Sequence, residues 1–199
     1  MSTKILASLI AAMLVGLAAT TYLISTKSAR TTEDLSVQSG KELGAHVAAG
    51  VQRDINVAMR VTETMRDAFI GLYGKGIKDR AIYLALLESA VKANQQYVAV
   101  WTAWEPNALD GEDAKFVNAD GKATFPDAKA YDATGRFVPY VFAKDGGFDL
   151  VALADYDKPG PGDYYLLAQK SGKQQIIEPY AYPVGDKTVI MTSLVTPII

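Results

Sequence analysis

The stretch Tyr97-Val-Ala-Val-Trp-Thr-Ala-Trp104 marks the point at which the chain changes character. It is uncharged and rich in β-branched and aromatic residues, which reads as a strand. Everything before it reads as helix. Residues 31–72 contain no proline, and apolar side chains recur at Leu43, Val47, Val51, Ile55, Met59, Val61, Met65, Phe69 and Leu72. Steps of three and four dominate, the period of an amphipathic helix. Thr32 is the expected cap, with Glu33 and Asp34 placed to favour the positive end of the helix dipole. Two readings of this helix stand: a core helix of the domain that follows, or a stalk whose apolar stripe pairs with a copy of itself. Three glycines within Gly71-Leu-Tyr-Gly-Lys-Gly76 end it. A second helix is predicted from about Asp79 to Asn94, with Ile82, Leu86, Leu87 and Ala90 on one side.

Beyond Trp104 the pattern is that of strands and turns. A polar loop runs from Glu105 to Lys115. Short strands are expected near Lys115–Asn118 and Ala123–Phe125, joined by the turn signal Asn118-Ala-Asp-Gly121. Apolar runs at Arg136–Phe142 and Phe148–Ala154 flank Asp145-Gly-Gly147. Lys158-Pro-Gly-Pro-Gly-Asp163 leads into a short helix at Tyr164–Lys170, and Gln175–Tyr182 and Thr188–Thr196 form two last strands about Gly185-Asp186. Long helices before a mostly antiparallel, five-stranded sheet make an α+β fold.

At the other end, Ile5 to Ile24 holds twenty residues without a charge. As a helix it is roughly 30 Å long, the thickness of a bilayer core, and it is apolar all round. An uncleaved transmembrane signal anchor is the expectation. A cleaved signal peptide, whose apolar region is usually shorter, and a buried soluble helix are the alternatives.

Composition narrows the function. The 199 residues are 49% hydrophobic and 21% charged, with a formal charge of −2. The absence of a basic excess argues against nucleic-acid binding. The lack of cysteine excludes disulfide scaffolds, zinc ribbons and cysteine nucleophiles, and the single histidine, His46, excludes multi-histidine metal sites. No nucleotide-binding or hydrolase motif is present. Asp110, Glu112, Asp113 and Asp120 lack the spacing of a calcium loop and read as a solvated loop. Asp155 and Asp157 read as turn formers. We therefore expect no enzyme, no metal site and no cofactor.

Aromatic residues carry the functional signal. Eight of the 11 tyrosines fall between positions 97 and 182, several of them around Arg136 in Tyr131-Asp-Ala-Thr-Gly-Arg-Phe-Val-Pro-Tyr140. A guanidinium is a fixed fork of donors for a carboxylate, and tyrosines supply rigid walls, hydroxyls and π-faces for an amine. Such a box suits a small charged or zwitterionic ligand. The alternative is that these tyrosines are ordinary core residues and that Arg136 is paired with an acid.

Several of these segments resemble a known family. Trp104-Glu-Pro-Asn-Ala-Leu-Asp-Gly-Glu-Asp113, Thr134-Gly-Arg-Phe-Val-Pro-Tyr140, Gly162-Asp-Tyr-Tyr165, Ile177-Glu-Pro-Tyr180 and Thr192-Ser-Leu-Val-Thr-Pro197 are similar to the sensor region of bacterial methyl-accepting chemotaxis proteins of the double Cache type, built from two PAS-like modules. The resemblance implies a layout. Residues 1–27 would be the transmembrane anchor in the bacterial inner membrane. Residues 28–94 would be the periplasmic stalk helix, which forms a homodimer, together with the second helix. Residues 95–199 would be a membrane-distal Cache module, followed in a full receptor by a membrane-proximal module. It implies no catalysis but binding of a small molecule (an amine, amino acid or organic acid) and transmembrane signalling in chemotaxis. The alternative outputs are a histidine kinase, a cyclic-dinucleotide enzyme or a membrane-tethered adaptor that binds a protein. In amino-acid-binding members a tyrosine and an arginine separated by four residues hold the ligand carboxylate, a spacing matched by Tyr131 and Arg136. Val138 and Pro139 stand where the family has a Trp-Tyr pair, and Tyr182 where it has an aspartate. The expected ligand-binding set is Trp104, Tyr131, Arg136, Tyr140, Asp155, Tyr156, Tyr180 and Tyr182.

Overall fold

The computed structural model describes residues 3–117, 127–144 and 146–199; the side chains of residues 3–9, 11, 12 and 29 fall outside that description. The turn expected at 118–121, the strand at 123–125, Asp120 and Asp145 lie outside the described residues. By its contacts the chain divides into two compact units, Met1–Asp54 and Ile55–Ile199.

Helix α1, Thr3–Gly74, takes in the apolar N-terminal stretch and the amphipathic stretch alike. Thr32 therefore lies inside a helix and is no cap: its hydroxyl donates to the Ser28 carbonyl one turn back, at 2.9 Å. Among the described residues no helix is long and apolar enough to cross a membrane. Within the expected span, residues 5–9, 11 and 12 lie outside the described side chains. In the first unit Leu35, Leu43, Val47 and Val51 are exposed, as is His46.

In the second unit the apolar stripe of α1 turns inward. Phe69 is buried, with Met65 and Leu72 packed beside it. The helix ends as the glycines predict: Ile77 N–H donates to the Leu72 carbonyl at 3.0 Å, and Gly76 takes a left-handed φ of 74° that favours glycine. Helix α2, Arg80–Ala93, starts at Asp79, whose carboxylate accepts the Ala81 N–H at 3.0 Å. It buries Tyr83, Leu84, Leu87 and Val91.

A three-stranded antiparallel sheet follows, ordered β1 (Ala99–Trp101), β2 (Pro139–Lys144), β3 (Gly147–Ala152). Side chains alternate across it. Val100, Trp104, Phe137, Val141, Phe148 and Leu150 join Phe69, Tyr83 and Leu87 on the helical face. Ala99, Trp101, Val138, Tyr140, Phe142 and Leu153 face a second core built with helix α3 (Asp163–Ser171) and the hairpin β5–β6 (Tyr180–Val184, Lys187–Met191).

Two expectations need correction. The expected strand near Lys115 is a 3₁₀ turn, Asp113–Phe116. The expected five-stranded sheet is three separate sheets. The last two apolar runs each split, into β4 (Gln175–Ile176) and β5, and into β6 and β7 (Leu194–Val195), with β4 paired to β7 and β5 to β6. Pro179, with no amide proton for a ladder, sits at the first break.

The loop after β1 is anchored by a buried cation that the sequence reading passed over. Arg80, 3% exposed, donates to Asp110 at 2.6 and 2.7 Å, to Asp113 at 2.6 Å and to the Gly135 carbonyl at 2.8 Å. Burial works against the charge of both Arg80 and Asp110. Their mutual hydrogen bonds outweigh it, raising the arginine's pKa and lowering that of the Asp110 carboxyl.

Two outcomes follow for urea denaturation of the full chain. Arg80→Ala leaves two carboxylates with little water and no partner, and should lower stability by about 3–5 kcal/mol. A depressed carboxyl such as Asp110 contributes its stability above the ordinary carboxylate pKa and loses it as pH falls through the folded value. The wild-type chain should thus lose more stability than the variant on acidification below about pH 4. Leu87→Ala, at 1% exposure, should cost about 2–5 kcal/mol, and Leu43→Ala within about 0.5.

Candidate functional site

Arg136 leaves a turn that only glycine fits. Gly135 has φ of 80°, and a Cβ there would lie 2.0 Å from the Asp113 carbonyl oxygen. Asp132 closes the turn by accepting N–H groups from Thr134 at 2.8 Å and Arg136 at 3.1 Å. The Arg136 side chain, 8% exposed, then enters the protein. Its Nε donates to the Trp104 carbonyl and its terminal nitrogen to the Tyr165 hydroxyl at 2.6 Å. The guanidinium lies 4.9 Å from the Tyr156 ring centre and 5.3 Å from that of Tyr165, both in cation–π range.

Tyr165 passes the polarity on by donating its hydroxyl to Glu105 Oε1. The same carboxylate accepts from Gln169 Nε2 at 2.9 Å and lies 3.6 Å from the guanidinium. Desolvation would raise the Glu105 pKa, but the hydrogen bonds from Tyr165 and Gln169 and the charge of Arg136 lower it on balance. Burial and the bond to Glu105 push Tyr165 up to about 12, against the opposing charge of Arg136. The chain's own carboxylate, Glu105, is thus the acceptor at the end of this cluster. Its Glu105 end is half open, with 49% of that side chain exposed.

The other expected residues divide. Tyr156 stands beside Arg136 and donates to Asp132. Tyr140, Tyr180 and Tyr182 form a neighbouring cluster with Tyr164. The Tyr140 and Tyr182 rings are 5.1 Å apart, and Tyr180 stacks on Tyr164 at 5.8 Å. The hydroxyls are engaged: Tyr180 with Ser193 at 2.7 Å, Tyr182 accepting the Ala154 N–H at 3.0 Å, Tyr164 donating to the Ala154 carbonyl at 2.6 Å. Tyr131 is turned to the opposite core, stacked on Phe116 at 4.7 Å and 5.3 Å from Arg80, so it does not meet Arg136. Asp155 is on the surface, paired with Lys158 at 2.6 Å. The expected set missed Glu105, Tyr165 and Gln169, although Tyr165 lies in the tyrosine-rich Gly162-Asp-Tyr-Tyr165 stretch. The only signal for Glu105 was its place at the end of the apolar run before Pro106.

A cavity of about 820 Å³ adjoins this cluster. Its walls are residues 58–73 of α1, residues 96–105 along β1, Tyr140, residues 165–172 of α3 and residues 190–199. Trp104 and Tyr140 of the expected set line it, and so do Glu105, Tyr165 and Gln169; Arg136 lies behind Glu105 and Tyr165. Among the described residues no group of acidic or histidine side chains could hold a metal ion.

No protein-family model matches the chain. It is similar to the methyl-accepting chemotaxis protein TlpQ of Pseudomonas aeruginosa, 25% identical over 170 residues that take in 71% of this chain and 22% of that protein. Among solved structures it is similar to the extracellular domain assigned to the histidine kinase mmHK1S-Z3, with 31% identity, a TM-score of 0.60 and coverage of 73% of this chain and 46% of that one. It is also similar to methyl-accepting chemotaxis protein X, with 27% identity, a TM-score of 0.67 and coverage of 84% and 58%. The chain thus spans about a fifth of the curated relative and about half of the solved ones. These likenesses bear out the resemblance to the sensor regions of chemotaxis proteins that the sequence carries.

Glu105→Gln should bring the Tyr165 phenol back from about 12 towards its ordinary value near 10, because it removes the anionic acceptor and keeps the Arg136 charge. NMR titration of tyrosine labelled at Cζ reads this directly.

Proposed function

We propose that this chain is the sensor part of a membrane receptor, which binds a small molecule on the periplasmic side and passes the signal into the cell, with chemotaxis as the output. The observation that carries the reading is the likeness, above 25% identity, to a methyl-accepting chemotaxis protein and to the extracellular domain assigned to a histidine kinase. The kinase output is the second reading, favoured by the higher identity of the kinase domain. No catalytic step is assigned. The apolar stretch Ile5–Ile24 serves as the membrane anchor, supported by its length and lack of charge. The exposed Leu35, Leu43, Val47 and Val51 suit pairing with a second copy of α1 in a homodimer.

The ligand site in this reading is the Arg136–Tyr165–Gln169 pocket, with Trp104, Tyr140 and Tyr156 around it. Its ligand carries a carboxylate, which replaces that of Glu105. A ligand shifts an equilibrium only by its preference for one state, and here the two states are Glu105 seated and Glu105 displaced. Trp104, next to Glu105, packs on Phe69 and Tyr73 of α1 at ring distances of 6.4 and 6.0 Å, and so offers a contact through which displacement reaches that helix.

Calorimetry and thermal unfolding of the full chain with a panel of amines, amino acids and organic acids test this. A bound carboxylate at about 100 times Kd should stabilise the fold by about 2.7 kcal/mol. Glu105→Ala removes the internal competitor and should tighten binding about fivefold, the worth of roughly 1 kcal/mol of hydrogen bonding. Arg136→Gln should abolish it. Hits confined to amines, with binding lost in Glu105→Ala, would reject the carboxylate site, and no hit across the panel would reject the sensing reading.

A further inference from the structure

The chain that leaves β3 passes beside Arg136 as a strap, and one peptide ties it down. The Leu153 N–H still bonds the Val138 carbonyl, at 2.9 Å. At Ala154 both backbone groups are taken by tyrosine side chains. The Tyr182 hydroxyl of β5 accepts its N–H at 3.0 Å, and the Tyr164 hydroxyl of α3 donates to its carbonyl at 2.6 Å. The two rings meet edge to face, 5.4 Å between centres. Asp155 then takes a left-handed φ of 53°, uncommon for a residue with a side chain, and turns the chain. The strap closes at Gly162, where a Cβ would lie 2.4, 2.6 and 2.7 Å from the carbonyl oxygens of Asp155, Tyr156 and Lys158.

From Asp155 to Pro161 every residue except Tyr156 is exposed. Tyr156, at 8%, is the inward residue of an otherwise solvated loop. Its ring lies 4.9 Å from the Arg136 guanidinium, and its hydroxyl donates to Asp132, which also accepts the Arg136 N–H. The ring is therefore fixed at two ends, by Asp132 at the hydroxyl and by the Ala154 peptide at the backbone. Releasing Ala154 leaves the Asp132 bond and an edge contact with Tyr165 to keep the ring on the guanidinium. A loop with so little buried surface opens locally without disturbing the core.

We propose that residues 154–162 are a gate on the Arg136 site, with Tyr182 and Tyr164 as the positioning residues that hold it shut through Ala154. Tyr182 belongs to the expected ligand-binding set, but its hydroxyl serves the backbone of the gate and touches no ligand. Lifting Tyr156 bares the guanidinium while the sheet and both long helices stay in place. The inference rests on the reading of Arg136 as the ligand-binding group, and adds what controls access to it.

Phenylglyoxal, which modifies guanidinium groups that solvent reaches, tests this on the full chain, with the rate at each arginine read by peptide mass spectrometry. Tyr182→Phe and Tyr164→Phe each remove one hydroxyl bond at Ala154. Each should speed modification of Arg136 about fivefold, the change in open population that one hydrogen bond sets. Arg80, 3% exposed and outside the strap, is the internal reference and should keep its rate. Tyr180→Phe is the control. It removes a hydroxyl bond of the same tyrosine cluster, to Ser193 at 2.7 Å, that does not touch the strap, and should leave Arg136 as in the wild type. An unchanged Arg136 rate in either strap variant overturns the proposal. So does Arg80 speeding up in step in both, which would mean general loosening, or Tyr180→Phe matching Tyr182→Phe. No ligand enters this test, so a failed gate and an empty ligand panel are separate results.

Discussion

The domain rests on one buried cation. Arg80 opens α2, yet its side chain bonds residues 30 to 55 positions away: two carboxylates in the loop after β1 and a carbonyl in the turn before β2. The Phe116, Tyr131 and Phe137 rings surround the guanidinium at 4.1, 5.3 and 5.8 Å. A buried ion pair is no guarantee of net stability, because desolvation takes back much of the Coulomb gain. What it does supply is position, since a fork of donors met by three fixed acceptors admits one arrangement. Gly135 tightens that constraint, for the backbone of Asp113 occupies the space a side chain would need. Asp113 in turn accepts from the Asn107 N–H at 2.7 Å, which closes the loop on itself.

From that anchor the site follows. Arg136 is the residue after Gly135, so the turn that Arg80 fixes also aims the second arginine. The sheet then separates two roles. Its helical face is closed by Phe69, Tyr83, Leu87 and Trp104, with aromatic rings in tilted and edge contact. Its other face is built from tyrosines, whose hydroxyls each need a partner when buried. Here they find backbone groups, Asp132, Ser193 and Glu105, so that face is held by directed bonds as well as by area.

What the sequence disclosed is what repeats at short range. The period of three and four placed α1 and α2, and the change of composition at Tyr97 placed β1. Of the two readings of the long helix, core packing holds from Met65 to Leu72, whereas Leu43, Val47 and Val51 remain exposed. The acid loop at 110–113 read as solvated because an acidic cluster carries no trace of a partner 30 residues earlier. Thr32 misled because a capping residue looks the same in the middle of a helix that goes on. Of the two expectations for Arg136, its pairing with an acid holds, with Glu105 as the partner and Tyr156 and Tyr165 as walls.

That pairing bears on how a filled site can respond. Glu105 is held by groups that would suit a free carboxylate, but it is tethered to Trp104 and half exposed, so its hold is weaker than its contacts suggest. Exposed ion pairs return about 1 kcal/mol at most, and the 3.6 Å approach of Arg136 is loose. A carboxylate free to settle at closer range could therefore displace it without unfolding anything. The guanidinium is too buried to be rehydrated at small cost, so it needs an anionic or carbonyl partner. In the proposed exchange Glu105 serves as that partner until another anion takes its place, and the aromatic packing of Trp104 on α1 keeps the exchange in mechanical contact with the longest element of the chain.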